Sequence, residues 1–598
     1  MAMATLQQKI SHGQKYWYIV ESRRINGKPR PVVLAYLGKA ETLLERLQQL
    51  NDPCAIKSYA HGTVAALLCV ARELDIVQTI NQHVHAKRKH FASKPLRNNL
   101  TVGATLLLGA MGRVCMPASK RGWWPWAKTT SCEYMLSVAL SKVDSQHFWD
   151  MMDAVPVEAI EAIETQLLKQ VRVHYGIASD ALFYDATNFF TFIATDNDRC
   201  TVARRGKNKQ KRHDLRQVGL ALVVTHEDKI PLFHLSYQGN CSDSNVFKEI
   251  VARLRRRFVE LELDLDKHTI VFDRGNNSKE NMALLAQAGL HYVGALTPYQ
   301  HQKLIEQARN GLEPVQIAQE NVNVFRTKSI IWAEERTVLV FISEKLKQGQ
   351  RCGIGAAIEK AEKQLGEVRD AIEKPDKRHG KREDIEARIN AIIDKQFIRD
   401  IFIWELSQTK PDCWRLQFHV DPARLEQVEK VLGWRILMTD RHDWDSAQII
   451  QAYHGQANIE NVFRNVKNPY HLAVRPQFHW TDQKIAVHFF MCVIGYLMSA
   501  ILLREAREKA GFQGSMDTLL DRLGNIRLAA CMGPAQKRGS RKVVYKIEEM
   551  EEDERQLAEA LNITEEHYRR PKIKGFCIHM KGAVMPENKG YEKDYAGA

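Results

Sequence analysis

Apolar and polar positions alternate with different periods along the chain. Residues 16–38, YWYIVESRRINGKPRPVVLAYLG, read as two strands about an INGKP turn. From 58 to 175 the spacing becomes helical and takes in the apolar VGATLLLGAMG and the aromatic RGWWPWAK. Residues 156–174 begin at Pro156 and set Ile160, Ile163, Leu167, Leu168 and Val171 along one side of an amphipathic helix. Strand patterning then takes over. ALFYDATNFFTFI predicts one strand, and RQVGLALVVTHEDKIPLFHLSYQG predicts two joined at HEDK. SNVFKEIVARLRRRFVELEL predicts a helix capped by Ser244 or Asp243. HTIVFDRG is a strand, SKENMALLAQAG a helix stopped by Gly289, and HYVGALT a strand.

Three strands, a helix, a strand, a helix and a strand is the order of an RNase H-like α/β core. Further on, RTVLVFISE and CWRLQFHVD are strands. Between them Ala361, Leu365, Val368 and Ile372, then Ile385, Ile389, Ile392 and Ile393, recur at helical spacing around the charged EKPDKRHGKRED. That pattern predicts an antiparallel helical hairpin with a charged tip. The expected organisation is a β region over 1–50, a helical region over 51–178 and the first part of the core over 179–300. A mixed β and helical-hairpin insertion over 301–445 would follow, then the rest of the core over 446–510 and a C-terminal region over 511–598.

Ile485–Leu503, IAVHFFMCVIGYLMSAILL, is 19 residues of almost unbroken apolar sequence between Lys484 and Arg504. It is at the short end of what spans a bilayer, and it contains His488. A helix buried on all sides in a large core is the preferred expectation, without a membrane partner.

Composition narrows the partners. The 598 residues are 44% hydrophobic and 26% charged, as in globular chains, and carry a formal charge of +15. That excess favours a polyanion such as nucleic acid. The eleven cysteines include no C-x-x-C pair, which argues against a structural zinc site or a secreted disulfide framework. The N-terminus shows no apolar signal core.

Candidate chemistry centres on Asp185, an acid inside the apolar run FYDATNFF. A carboxylate in a buried strand is costly unless something neutralises it. Asp273 ends the apolar strand TIVFDRG, where open α/β sheets build their sites. Glu460 lies in YHGQANIENVFRNVKNPYHLAVRP, read as one helix with Tyr453, Gln456, Glu460, Arg464 and Lys467 on a polar face. Three converging carboxylates repel unless cations sit between them. Divalent ions held by carboxylates and substrate phosphates can activate an attacking oxygen and stabilise a leaving one. Taken singly, each acid has a plain alternative: a turn at Asp185, a cap at Asp273, an ion pair of Glu460 with Arg464.

The chain resembles the DDE transposases of bacterial insertion sequences, in the insertion-sequence-four superfamily marked by a Tyr-Arg-Glu-Lys signature. Tyr453, Glu460 and Lys467 match that spacing, and Gln456 stands where the signature has Arg. YDAT and FDRG resemble the two strands that carry the Asp residues. RPQFHW…HFFMC and the N-terminal YLGK suit one subgroup of the superfamily. The resemblance covers most of residues 15–505. It implies an RNase H-like catalytic core with Asp185, Asp273 and Glu460 as catalytic and metal-binding residues, and a small β plus helical N-terminal DNA-binding region. It further implies two Mg²⁺ ions, replaceable by Mn²⁺, and double-stranded DNA as partner, both terminal inverted repeats and target. A homodimer in a paired-end complex and a cytoplasmic, nucleoid-associated bacterial location are also implied.

Tyr453, Gln456, Arg464 and Lys467 would contact phosphates. So would Arg204, Arg205, Lys207, Lys209, Lys211 and Arg212 in the basic stretch RRGKNKQKRHDLR. Trp434, or Trp414, is a candidate to stack a flipped base. A metal-dependent nuclease without strand transfer and a catalytically inactive, transposase-derived DNA-binding protein are the rival expectations.

Overall fold

The computed structural model describes residues 4–563, apart from 26–27, 43, 45–54, 86–99, 178–180, 195–196, 209, 242, 318–319, 374–380, 396, 411–412, 476 and 533–542. Two strands were expected at the N-terminus and three form: β1 (Ala4–Ser11), β2 (Gln14–Ile25) and β3 (Lys28–Gly38), ordered β1-β2-β3. The sequence of β1, ATLQQKIS, is too polar to announce a strand. The strand closes on a tight hairpin turn, where His12 and Gly13 have φ of 50° and 74°.

A short strand, β4 (Ala55–Ala60), leads into the helical region, where Gly62–Glu73, Val102–Cys115 and Val157–Tyr175 are the longest helices. Trp123 and Trp126 of RGWWPWAK are core residues. They pack edge-on at 5.9 Å, Trp123 also meets Phe148 at 5.4 Å, and its indole donates to the Leu108 carbonyl.

The centre of the molecule is a nine-stranded mixed sheet. Its strands are β5 (Ala181–Thr191), β6 (Arg216–Thr225), β7 (Pro231–Gln238), β8 (Thr269–Phe272), β9 (His291–Leu296), β10 (Glu313–Ile317), β11 (Glu320–Ile331) and β12 (Glu334–Ile342). After the hairpin β13 (Phe402–Lys410) and β14 (Cys413–Val420) comes the ninth, β15 (Trp434–Thr439). The order is β10-β11-β12-β15-β9-β8-β5-β6-β7. Strands β5, β8 and β9 run parallel to one another, and β6, β7 and β15 are antiparallel to their neighbours. Four strands from residues 313–439 thus continue the same sheet. Helices Glu344–Ile372 and Arg382–Ile393 form the expected hairpin and share a separate apolar cluster, including Leu365, Ile389, Leu406 and Leu416. The tip of that hairpin, 374–380, lies outside the described residues.

The apolar segment is the middle of helix Asp482–Ala510. Of its most apolar stretch, 94% is buried inside the protein. It lies against β7 and helix Val102–Cys115, with Phe489 at 5.8 Å from Phe189 of β5. Small residues permit the close approach, since a Cβ on Gly495 would meet the Ala110 carbonyl at 3.2 Å. The C-terminal region, charged and irregular in sequence, folds back. Helix Met516–Asn525 buries Leu519, Leu520 and Leu523, and β16 (Arg527–Met532) pairs with β17 (Val543–Ile547) on one side and β4 on the other.

Candidate functional site on the parallel strands

Strand β5 alternates so that Phe183, Asp185, Thr187 and Phe189 share one face. Phe183 and Phe189 are fully buried, while Asp185 and Thr187 between them are half-buried. On the other face Tyr184 meets Phe247 at 5.3 Å, and Phe272 of the neighbouring strand meets the same ring at 5.0 Å. Tyr184 and Phe272 are register partners in the parallel pair β5–β8. One residue further on, Asp185 and Asp273 therefore stand side by side on the opposite face, on strands about 4.8 Å apart. Asp185 accepts the Ala186 N–H at 2.7 Å and Asp273 the Arg274 N–H at 2.6 Å. Asp273 also caps the short turn that follows it.

The segment read as one helix is two. Ser446–His454 ends at Gly455, and Ala457–Asn465 begins after the turn. Gly455 is where the chain comes down on the sheet: a Cβ there would lie 3.0 Å from Phe183 Cε1 and closer still to Cζ. Beyond the second helix, the Lys467 ammonium donates to Thr187 Oγ1 and lies 5.6 Å over the Phe189 ring. The segment thus runs along β5 from Phe183 to Phe189. Glu460 lies in the first turn of the second helix, five residues on from Gly455, and Asp185 lies two residues on from Phe183. Ile459, Val462 and Phe463 hold the helix down, and Glu460, on its flank, is exposed.

Tyr453 belongs to the first of these helices and reaches the other acid. Burial raises its hydroxyl above the ordinary value and the Asp273 carboxylate adds to the rise, against the cations of Arg435 and Arg274. These groups line a cleft of about 260 Å³ with Tyr299 and Trp434. Trp434, on β15, is 8% exposed, whereas Trp414 lies half-buried on β14 in the hairpin cluster. Arg274 and Arg435 did not emerge from the sequence. The first follows Asp273 directly in FDRG, and the second reaches the site only through the pairing of β15 with β9.

Gln456 occupies the turn between the two helices. Arg464 faces Lys229, whose pKa is lowered by burial first and by Arg507 and Arg464 after it. The basic loop follows the C-terminal end of β5. Arg204 bridges by backbone to Gln217, and the Gln217 side chain donates to the carbonyls of Gly239 and Lys207. Asp482, opening the apolar helix, accepts from the Thr201 and Val202 N–H groups and fixes the base of the loop. Arg205, Lys207 and Lys211 are exposed. Arg212 makes two bonds to Asp214, at 2.8 and 2.7 Å, and pulls that carboxyl down to about 2. Lys209 lies outside the described residues.

Asp185 and Asp273 offer oxygen donors from adjacent strands, a set that suits a hard divalent cation such as Mg²⁺ or Mn²⁺. Glu460 does not close that set. Among the described residues, no three or more His, Cys, Asp or Glu side chains gather closely enough to hold a metal ion.

Fold and site together define a mixed α/β protein with two acids on adjacent parallel strands, and a helix packed on one of those strands carries a third acid. Residues 182–498, just over half of the chain, match the family model described as Transposase DDE domain, and the chain belongs to that family. Among solved structures it is similar to the piggyBac transposase of a cryo-EM synaptic complex with hairpin DNA. The identity is 9% and the TM-score 0.37, covering 77% of this chain and 79% of that one. No curated protein matches it.

Proposed function

We propose that this protein is a DNA transposase that cleaves the ends of an insertion sequence and joins the freed 3′-OH to target DNA. The observation that carries the proposal is the register of β5 and β8, which supports Asp185 beside Asp273, with the helix of Glu460 packed on β5. The order β7-β6-β5-β8-β9 supports an RNase H-like core. Asp185 and Asp273 would hold a divalent ion, with Glu460 the third acid above them. Bound there, the ion would neutralise charge on the phosphate under attack. Tyr453 and Lys467 would then orient the scissile phosphate, and the loop residues Arg204, Arg205, Lys207 and Lys211 would grip the flanking backbone. Arg212, already satisfied by Asp214, contributes less. In-line phosphoryl transfer draws most of its rate from such positioning. We further propose that the protein works on paired DNA ends as a homodimer of the insertion-sequence-four type.

The test uses the purified full chain, Mg²⁺, a labelled fragment carrying the DNA that borders its gene, and a target plasmid. Wild-type protein should cut the fragment and join it to the plasmid. Asp185→Asn should bind the fragment and leave it intact. Cleavage without joined product would make the protein a nuclease, and undiminished cleavage by Asp185→Asn would remove the acids from the chemistry.

A further inference from the structure

The three-stranded N-terminal sheet gathers tyrosines on one face. In the β1–β2 pair, Gln7 lies opposite Tyr18 and Lys9 opposite Tyr16; in the β2–β3 pair, Tyr18 lies opposite Tyr36. Residues opposite one another share a face, as do residues two apart on one strand. Tyr16, Tyr18 and Tyr36 therefore stand together. Ring centroids are 6.1 Å apart for Tyr16 and Tyr36 and 5.0 Å for Tyr18 and Tyr36, and the Lys9 ammonium lies 5.3 Å from the Tyr18 centroid. Tyr36 is 55% exposed, and every residue of β1 is exposed. Residues 1–39 carry seven Lys or Arg against a single acid, Glu21, which pairs with Arg23 at 2.6 Å.

We infer that this face is a stacking platform for unpaired bases of single-stranded DNA, separate from the Asp185 site. Clustered aromatic rings on an open sheet are costly to leave in water and suit a planar partner. The basic composition of residues 1–39, with Lys9 on this face, favours an anionic partner. A second copy of the same sheet would bring like charge against like. Duplex DNA keeps its bases stacked on one another and presents only their edges in the grooves. Unpaired bases offer their faces, and a rim of Lys and Arg can follow the phosphates beside them. Lys9 is placed for both roles, over a tyrosine and at the edge of the face. The choice of DNA over RNA rests on the transposase reading; the stacking itself does not.

The experiment is fluorescence anisotropy of the full chain with a labelled oligothymidylate of about 15 nucleotides, near the upper site size of a single stacking module. A duplex and an oligouridylate of equal length serve as comparisons. Tyr16→Ala and Tyr36→Ala should each weaken oligothymidylate binding by about 5- to 150-fold, the range for losing one stacked base, and change duplex binding far less. Lys9→Glu should weaken the same complex and flatten its salt dependence. Should the Ala variants lose the sheet by circular dichroism, the double variant Tyr16→Phe/Tyr36→Phe decides. It keeps the rings, so it should bind as wild type does, and a tenfold loss would overturn the inference. Equal losses for duplex and single strand, or unchanged oligothymidylate binding in folded Ala variants, would also overturn it. Tyrosine-dependent binding of oligouridylate alone would overturn the assignment to DNA. End cleavage and its dependence on Asp185 test the transposase reading separately.

Discussion

Replacing Gly455 by Ala puts a single methyl group between the helix of Glu460 and strand β5. The backbone there, φ −60° and ψ −16°, accepts any L-residue, so conformation opposes nothing. With backbone compatibility alone, Gly→Ala would stabilise the protein by about 0.4–1 kcal/mol through the unfolded chain. Space decides otherwise. The new Cβ would lie 3.0 Å from Phe183 Cε1 and nearer to Cζ, whereas carbons rest about 3.5–4.0 Å apart. Phe183 is fully buried, so its ring has nowhere to swing. The helix must lift by on the order of 1 Å, at an overpacking cost of about 1–3 kcal/mol. The expected net change is a loss of about 1–2 kcal/mol, read as a lower urea midpoint by tryptophan fluorescence. Glu460 is carried on the lifted element, and displacements of that size cost on the order of 10²-fold in rate. End cleavage should therefore fall much further than stability. Phe183→Leu removes the ring edge, so the double variant should lose less than the two singles together, by about 0.5–3 kcal/mol. A Gly455→Ala protein that is more stable than wild type and cuts normally would refute the reasoning.

Three further outcomes follow from other contacts. Lys467→Met should lower DNA affinity and reduce the slope of log affinity against log salt by about one, as for a lost phosphate contact. Arg257→Met should destabilise by about 3–5 kcal/mol. Burial raises Glu164, but His234 and Arg257 outweigh it and hold the carboxylate ionised, and the variant strands that charge beside His234 alone; adding Glu164→Gln should restore part of the loss in urea unfolding. His61, buried and hydrogen-bonded to Ser131 at 2.6 Å, is held neutral by burial with its pKa down to about 3. The unfolded chain takes up that proton first as the pH falls below about 6.5, so His61 lowers stability between there and about 3, by at most about 1.4 kcal/mol per pH unit. His61→Gln should show a shallower fall in urea stability from pH 6.5 to 4.5, and an unchanged slope would show that His61 is already charged in the folded protein.

Local pattern revealed the strands that bury both faces and the helices that bury one. β5, β6 and β8 were legible because their apolar runs are short, β-branched or aromatic and bounded by turn residues. The attachment of β10–β12 and β15 to the same sheet was not, because it rests on pairings such as Val338 with Met438, a hundred residues apart. β1 was hidden by its polarity. The break at Gly455 was hidden by a helical period that runs straight through it, since the cause lies in Phe183 on another element. The candidate acids were visible as residue types in improbable surroundings. Their adjacency was not visible, for it depends on the β5–β8 register.

The four residues Phe183, Asp185, Thr187 and Phe189 bear on where the proposed site lies. A strand face buried along its whole length has no opening for a phosphate, and one exposed along its length cannot hold a helix at fixed height. This face is apolar at both ends and polar in the middle. Phe183 receives the segment at Gly455, and Phe189 receives it again beneath the Lys467 ammonium. Between those two supports the segment bridges about 20 Å of strand that carries a carboxylate and a hydroxyl. Substitutions at the supports therefore change where Glu460 stands and should alter rate and stability together. Substitutions in the span change the groups presented to the substrate and should alter rate while leaving the urea midpoint in place. Gly455→Ala and Asp185→Asn sample the two cases on one strand. If both variants moved stability and cleavage in the same proportion, the division of this strand into support and site would fail.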